Sequence, residues 1–577
     1  MPSSPLKRSE HLRAVWPWLP LWSLVALLAI FAHGPMPLYS TRTLAVAWDM
    51  FNHGQWLVPH INGQPYSEKA PLLFWLIQAG WFAFGVSDIW PRVLEVLFGG
   101  AQLMLVSLLA RRLFPQRPWM SKAAPWMLLA FGYAFLFGLQ IMYDVLLSVW
   151  ALAALLCLTP TRRRVEPRWL LFGLCIGLGL LTKGPVMLLH VVFPWLLGPL
   201  WSDWAREHRR RWYGAGGASL LLGGVMLLAW ALPAGFAGGD TYRDRLFFTQ
   251  TAGRVVDKLS QGKNLQNHAH PFWFYLLWLP VLLFPFSGWP RMWIAVASLR
   301  RPLESGLRFL LCWLVPTFGV FSLISGKQLY YLLPELAGGA LLMGAAMAVL
   351  RERQPALAAY RRFGSWPLGV GGIVFAVLLF ILPMLVDHHL VQPDWDWAYA
   401  IAPQSRYFSV IFLLLGILLL LRGRGELRRL AVAGLAGVFA LNALFTLTIW
   451  PRWDLRPAAA LLRTAEQTGH PLANLGNYEG EFHFAGRLTH PITELYGDKA
   501  IEDYAHAHPD ALIVAHPGTL TAADLRYALL AQPFRSSWVV IWPATSLAEL
   551  RAGLTPPEPA QPTQVYSTDA WRNRARQ

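Results

Sequence analysis

Between Val58 and Pro71 the chain reads VPHINGQPYSEKAP, and Glu68 and Lys69 stand directly before an apolar run, Ala70–Gly85. A lysine beside the first amides of a helix can hold a phosphate. A glutamate there can serve as a base or as a hard metal ligand. The plainer alternative is an interfacial anchor with a surface ion pair. Asp144 opens another apolar run, where an acid at a helix start is favoured by the dipole and can equally be a simple cap. Arg42 lies in an earlier polar segment, with Asp49 seven residues on and on the same helical face. Arg243, Arg245, Arg254, Lys258 and Lys263 make a later loop basic, and His268 and His270 close it. Lys327 is followed by Tyr330 and Tyr331 at a further helix start. Several cations with a few carboxylates suit one task. The cations hold a lipid-carrier phosphate while a carboxylate takes the proton of a sugar acceptor.

The elements that must carry these groups are membrane helices. Of 577 residues 55% are hydrophobic and only 14% charged, against about a quarter in soluble proteins. The apolar residues come in long runs rather than in alternation, which excludes an outer-membrane barrel. Lys and Arg number 49 and Asp and Glu 32, a net charge of +17 that suggests nucleic acid in a soluble chain. Here the basic residues cluster between apolar runs, as the cytoplasmic loops of a polytopic protein do. Spans fall near 16–33, 91–110, 124–140, 144–159, 168–182, 184–200, 213–235, 271–290, 309–325, 329–350, 366–386, 407–421 and 430–450. That makes about thirteen. The N-terminus is then cytoplasmic, its first span uncleaved, and the C-terminal segment lies outside.

Were Ala70–Gly85 a fourteenth span, every later basic loop would invert. It reads instead as a helix in the outer interface, consistent with Trp75 and Trp81. The outer face then collects segment 34–90, the turn at Tyr143-Asp144, loop 237–270 and the turn at Ser325–Gln328. Residues 1–450 form the membrane domain. Residues 451–577 read as a small α/β domain, with a helix at 456–468 and buried strands in ALIVAH and SSWVVIWP. Cys157, Cys175 and Cys312 lie singly in apolar runs, as small buried residues rather than a disulfide or metal framework.

The order of motifs resembles a known family. Arg42, GQWLVPHINGQPYSEKAPLLFW, FG with Arg92, Asp144, LTKGP (181–185), NHAHPFWFY (267–275) and FSLISGKQLYYLLP (321–334) follow one another as in the bacterial aminoarabinose transferases. These belong to the membrane glycosyltransferases that use polyprenyl-phosphate sugars and include the protein O-mannosyltransferases. The likeness covers roughly residues 16–350. It implies a GT-C-like all-α membrane fold with outer juxtamembrane helices, in the bacterial inner membrane, and an active site on the periplasmic side. It implies that Lys69 and Arg254 bind the carrier phosphate with Arg42 nearby, and that Tyr66 and Tyr331 line the cavity. Glu68 and His268 match positions that hold a divalent, zinc-like metal, and Asp144 matches an acidic candidate for catalysis. Lys327 remains a further donor-side cation by its own chemistry.

One departure bears on mechanism. The family carries an Asp-Glu pair just ahead of the arginine at 42, and here those places are Tyr39 and Ser40. Tyrosine, with an ordinary pKa of about 10, is a poor base near neutrality, so Tyr39 is left as a cavity residue. The Tyr after that arginine is Thr43, and EKPP reads EKAP. The base role falls to Asp144 or Glu68, or the acceptor ionises unaided. The reading is an inverting glycosyltransferase moving a sugar from a polyprenyl phosphate to lipid A or another envelope acceptor. Its competitor is a catalytically silent homologue that binds the lipid phosphate or partners an active paralogue. A transporter fits less well, because there are no repeated halves and the polar groups gather on one face.

Overall fold

The computed structural model describes residues 19–132, 140–161, 164–249, 270–299, 303–359, 363–392, 395–421, 425–557 and 564–565. Arg254 and His268, and with them most of the basic loop, lie outside the described residues. The chain forms two compact units. The first comprises 1–32, 67–380 and 407–442, the second 33–66, 381–406 and 443–577.

The first unit is helical. In chain order its helices include α1 (Leu19–Phe31), then, after α2 of the second unit (Ser40–Asn52), α3 (Leu72–Phe84), α4 (Ile89–Leu113), α5 (Met120–Ala130), α6 (Tyr143–Leu158), α7 (Trp169–Lys183), α8 (Val186–Leu196) and α9 (Arg209–Ala237). There follow α10 (Phe274–Leu282), α11 (Pro290–Ala297), α12 (Ser305–Leu323), α13 (Leu333–Arg353), α14 (Trp366–Asp387), α15 (Asp396–Leu420) and α16 (Glu426–Thr448). Among the described residues seven helical segments are long and apolar enough to cross a membrane by length and composition. They are α4, α9, α12, Leu329–Arg353, α14, α15 and α16. Helices α1, α3, α6, α7 and α8 are apolar but shorter. The segment 271–290 is not one helix. Pro285 and Pro290 divide it into α10 (which contains Pro280), a 3-10 turn at Phe286–Gly288 and the start of α11. Helix α15 starts eleven residues ahead of the apolar run at 407, because polar residues from Asp396 onward join the same helix.

Close packing here depends on small residues, as it does in bilayers where burial offers no net gain. A Cβ on Gly177 of α7 would stand 2.3 Å from the sulfur of Met226 on α9. Arg92 pairs with Asp88 one turn back and donates to the Ile30 carbonyl at 2.6 Å, tying α4 to the end of α1. Cys157 and Cys312 are buried and Cys175 half-buried, all as free thiols.

The second unit takes in residues that a division at 450 separates, and segment 34–90 is split at Tyr66. Hydrogen bonding is the reason. Asn62 exchanges two bonds with the Ile492 backbone at 2.7 and 2.9 Å, and Trp48 donates to the Leu488 carbonyl at 2.8 Å. Helix α2 and the hairpin of β1 (His60–Ile61) and β2 (Gln64–Pro65) therefore belong with the C-terminal residues. Those residues form β3 (Leu472–Leu475), β4 (Thr493–Leu495), β5 (Leu512–Ala515), β6 (Leu530–Phe534), β7 (Ser537–Pro543) and β8 (Gln564–Val565), in the order β4-β3-β5-β7-β6-β8. The β3/β4, β3/β5 and β6/β8 pairs are parallel, and β5/β7 and β6/β7 are antiparallel. Successive residues of β7 face opposite sides. Val539 and Ile541 join Ala458, Ala459 and Leu462 of α17 (Arg456–Gln467) on one face. Val540 and Trp542 join Ile501 of α18 (Asp498–Ala507) and Leu547 of α19 (Ala544–Arg551) on the other. A strand covered on both faces reads as an unbroken apolar run, which is why SSWVVIWP does not alternate.

Beside this sheet lies a buried polar knot. The Tyr478 hydroxyl is 2.8 Å from His483 Nδ1, and burial holds that imidazole down at about 4. Burial pushes the Glu481 carboxyl up to about 7 from an ordinary 4.5; the neighbouring Glu479 adds to the rise, while backbone amides and Arg42 oppose it. His516 faces Glu481 at 3.7 Å. A carboxyl raised on folding contributes stability that is complete below 4.5 and lost as pH rises through 7. Replacing Glu481 by Gln removes that loss. The variant should gain on wild type between pH 4.5 and 7 by roughly 3 kcal/mol at most, then level off. Hydrogen exchange of amides 472–541 in the full chain across this range measures it; a pH-independent difference would refute the assignment.

Candidate active site

Asp144 sits in the first turn of α6 and is fully buried. Its Oδ1 pairs with the Lys183 ammonium, and its Oδ2 has no hydrogen-bond partner among the described residues. Lys183 is the last residue of α7, and Gly184, at φ +70°, takes the left-handed turn that lets α8 begin two residues later. Above the ammonium lie two rings, Tyr331 with its centroid at 4.4 Å and Tyr330 at 5.5 Å. Both belong to the 3-10 turn Leu329–Leu332. At the residue before Asp144, Lys69 Nζ stands 5.8 Å from the Tyr143 ring centroid, and Phe74 meets that ring edge-on. The cluster thus joins the bend before α3, the start of α6, the end of α7 and the turn before α13.

Helix α4 fixes where Asp144 stands. Glu95 and Gln102, seven residues apart and so on one face, grip the backbone on either side of it. Glu95 accepts from the Met142 amide at 3.0 Å, and Gln102 donates to the Val145 carbonyl at 3.1 Å. Glu95 is itself 1% exposed. Two carboxyl groups and an ammonium withdrawn from water among apolar helices are costly, and such groups mark functional positions. With one carboxylate oxygen held by a lysine and the other uncommitted, Asp144 has the lone pairs of a base. Lys69, beside the ring of the neighbouring Tyr143, carries a charge that can take an anion.

Of the residues singled out from sequence, Lys69, Asp144 and Tyr331 come together here. Glu68 is half-buried in the bend that carries Lys69. Lys327 is buried and donates to the His270 carbonyl at 2.7 Å, so it secures the turn before Tyr330. Arg42, Tyr39 and Tyr66 belong to the second unit. There Arg42 pairs with Glu479, the Tyr39 carbonyl accepts from Thr43 at 3.1 Å, and Tyr66 is buried with its amide bonded to Pro59 at 2.7 Å. Asp49 Oδ1 lies 3.3 Å from His53 Nδ1, one turn on. Among the described residues no group of three His, Cys, Asp or Glu is arranged to hold a metal, and no step below passes through one.

Lys183 and Glu95 were passed over in sequence. Each is a lone charge in an apolar run, the signal that exposed Asp144. Glu479 carries no such signal, because its pairing with Arg42 spans 437 residues.

A family model described as dolichyl-phosphate-mannose-protein mannosyltransferase matches residues 68–230, which include Lys69, Glu95, Asp144 and Lys183. An undecaprenyl phosphate-α-4-amino-4-deoxy-L-arabinose arabinosyl transferase of Pseudomonas paraeruginosa is 32% identical over 377 residues, 64% of this chain and 66% of that protein. A Pseudomonas fluorescens protein of the same name, numbered 2, is 30% identical over 392 residues, covering 64% and 68%. The chain belongs to the aminoarabinose transferase family. It spans about two thirds of the length of the curated relatives it matches. The family fold extends further. The crystal structure of ArnT from Cupriavidus metallidurans bound to undecaprenyl phosphate superposes with a TM-score of 0.68 at 18% identity, covering 93% of this chain and 98% of that one. Within the family frame this is a multi-pass membrane protein.

Glu95→Ala leaves the Met142 amide without its acceptor and should cost about 1–3 kcal/mol, while Glu95→Gln keeps an acceptor oxygen and most of the stability. Thermal unfolding of the purified chain in micelles compares them; equal losses in both variants would show that the charge, not the hydrogen bond, matters.

Proposed function

We propose that the chain is an inverting glycosyltransferase that moves a sugar from a polyprenyl-phosphate carrier to lipid A or another envelope acceptor. The observation that carries this reading is the buried Asp144–Lys183 pair, roofed by Tyr330 and Tyr331, with Lys69 beside the ring of the adjacent Tyr143. The relatives' name supports an undecaprenyl-phosphate donor carrying 4-amino-4-deoxy-L-arabinose.

Lys69 binds the donor phosphate as a charge-assisted contact. Asp144 takes the acceptor's proton on its uncommitted oxygen. The acceptor oxygen then forms a bond to the anomeric carbon as the bond from that carbon to the phosphate oxygen breaks. The pair of electrons leaves with the polyprenyl phosphate, whose negative charge Lys69 neutralises. Lys183 holds the other carboxylate oxygen of Asp144 as an ion pair and so fixes the side chain's orientation. An acidic residue at position 39 or 40 is not needed if Asp144 is the base, and Tyr39-Ser40 is then tolerated. The basic clusters between apolar runs support a topology of thirteen spans with the N-terminus in the cytoplasm and Asp144 at the periplasmic face of the inner membrane. Helix α3, 13 residues or about 20 Å long, is too short for a hydrocarbon core of about 30 Å and lies at that face. The second unit is periplasmic in the same topology.

The test is mass spectrometry of envelope lipids and glycans from a deletion strain complemented with each variant. Wild type should restore a sugar mass lost on deletion, while Asp144→Asn should reduce it by about 10²-fold or more. Lys69→Ala should lower it through weakened donor binding. Full restoration by Asp144→Asn would remove Asp144 as the base. No glycan change on deletion, with the protein expressed, would leave a silent lipid-binding homologue.

A further inference from the structure

A second ionisable pair lies among the apolar helices of the first unit, and the mechanism above does not use it. His190 on α8 is 1% exposed, and its Nδ1 lies 2.7 Å from Oε1 of Glu335 in the first turn of α13. The other oxygen of Glu335 has no hydrogen-bond partner among the described residues. Packing alone gives no reason for such a pair. Apolar residues of the same volume usually serve stability as well or better, whereas removing one partner of a buried pair is severe. A pair kept at that cost specifies an arrangement, and its chain neighbours say which one.

Helix α8 starts directly after Lys183-Gly184-Pro185, and α13 starts directly after the turn bearing Tyr330 and Tyr331. The same two stretches therefore meet twice. The first meeting is Lys183 Nζ beneath the Tyr331 ring at 4.4 Å, and the second is His190 with Glu335. Phe321 lies between them, its centroid 5.2 Å from the His190 ring and 6.4 Å from that of Tyr331. His190 is seven residues beyond Lys183, and Glu335 four beyond Tyr331. Gly184, in the left-handed region, is the point at which Lys183 can turn relative to α8.

We propose that His190 and Glu335 are positioning residues that hold the Tyr330–Tyr331 turn over Lys183, and through Lys183 hold Asp144 for transfer. The inference rests on the Asp144–Lys183 pair being the reaction centre. Without the lower clasp the aromatic roof is free to slide off the ammonium, and Lys183 to leave Asp144.

The experiment is a double-mutant cycle on the purified full-length chain in micelles. The readout is single-turnover transfer from undecaprenyl-phosphate 4-amino-4-deoxy-L-arabinose to lipid A. Glu335→Ala should lower the rate at least tenfold. Glu335→Gln, which keeps an acceptor oxygen for His190, should stay within threefold of wild type. In a Lys183→Ala background Glu335→Ala should cost nothing further, because the residue acts through Lys183. Equal losses in both backgrounds would overturn the inference and leave a purely structural pair. A Lys183→Ala chain with wild-type rate would instead overturn the reaction centre itself. Should Glu335→Ala not fold, His190→Asn in the same two backgrounds decides by the same comparison.

Discussion

A charge removed from water must be met by another charge, and the first unit is arranged around one such meeting. Asp144 cannot be buried at the head of α6 unless Lys183 reaches it from the end of α7. That demand brings α6 and α7 to one level, which in turn requires that neighbouring helices approach closely. Glycines on α7 and α9 permit it. The aromatic rings of the turn before α13 complete the enclosure and keep the ammonium desolvated, where its attraction for the carboxylate is strongest. Helix α4 holds the backbone around the acid so that its second oxygen has a defined direction.

The second unit solves a different problem with the opposite material. Its sheet is buried on both faces by amphipathic helices, and hydrophobic burial supplies its cohesion. Polar residues enter it as hydrogen-bonded inserts, such as Tyr478 with His483 and Asn62 with the backbone of Ile492. Arg42, which sequence alone places among anion-binding cations, is matched there with Glu479.

Legibility followed the range of the interaction. Helix starts and apolar runs are local properties, so helices at nearly all the marked segments, and strands at LIVA and SSWVVIWP, could be read directly. Asp144 and Lys69 were visible because a charge beside an apolar run is conspicuous. Lys183, closing α7, and Glu95, inside α4, gave the same signal, but a single charge there suggests a tolerated defect until its partner is known. Partners 39 or 47 residues away are a matter of packing, not of pattern. The break of 271–290 was available from its prolines and was outweighed by overall apolarity. The allegiance of α2 and the hairpin after it to residues beyond 443 left no local mark, since the hydrogen bonds of Trp48 and Asn62 there each cross more than 400 residues.

That last separation sets a timetable for synthesis. Helix α2 and the hairpin after it leave the ribosome early, yet Ile492, which binds Asn62, is made 430 residues later. At about 5–20 residues per second this is a wait of roughly 20–90 seconds. Throughout it Arg42 has no Glu479, Trp48 has no Leu488 carbonyl, and the apolar face of α2 has no cover from the later chain. The helices between are made while the second unit is still incomplete. A truncated chain ending before residue 450 would leave that segment permanently unmatched, a ready target for quality-control proteases.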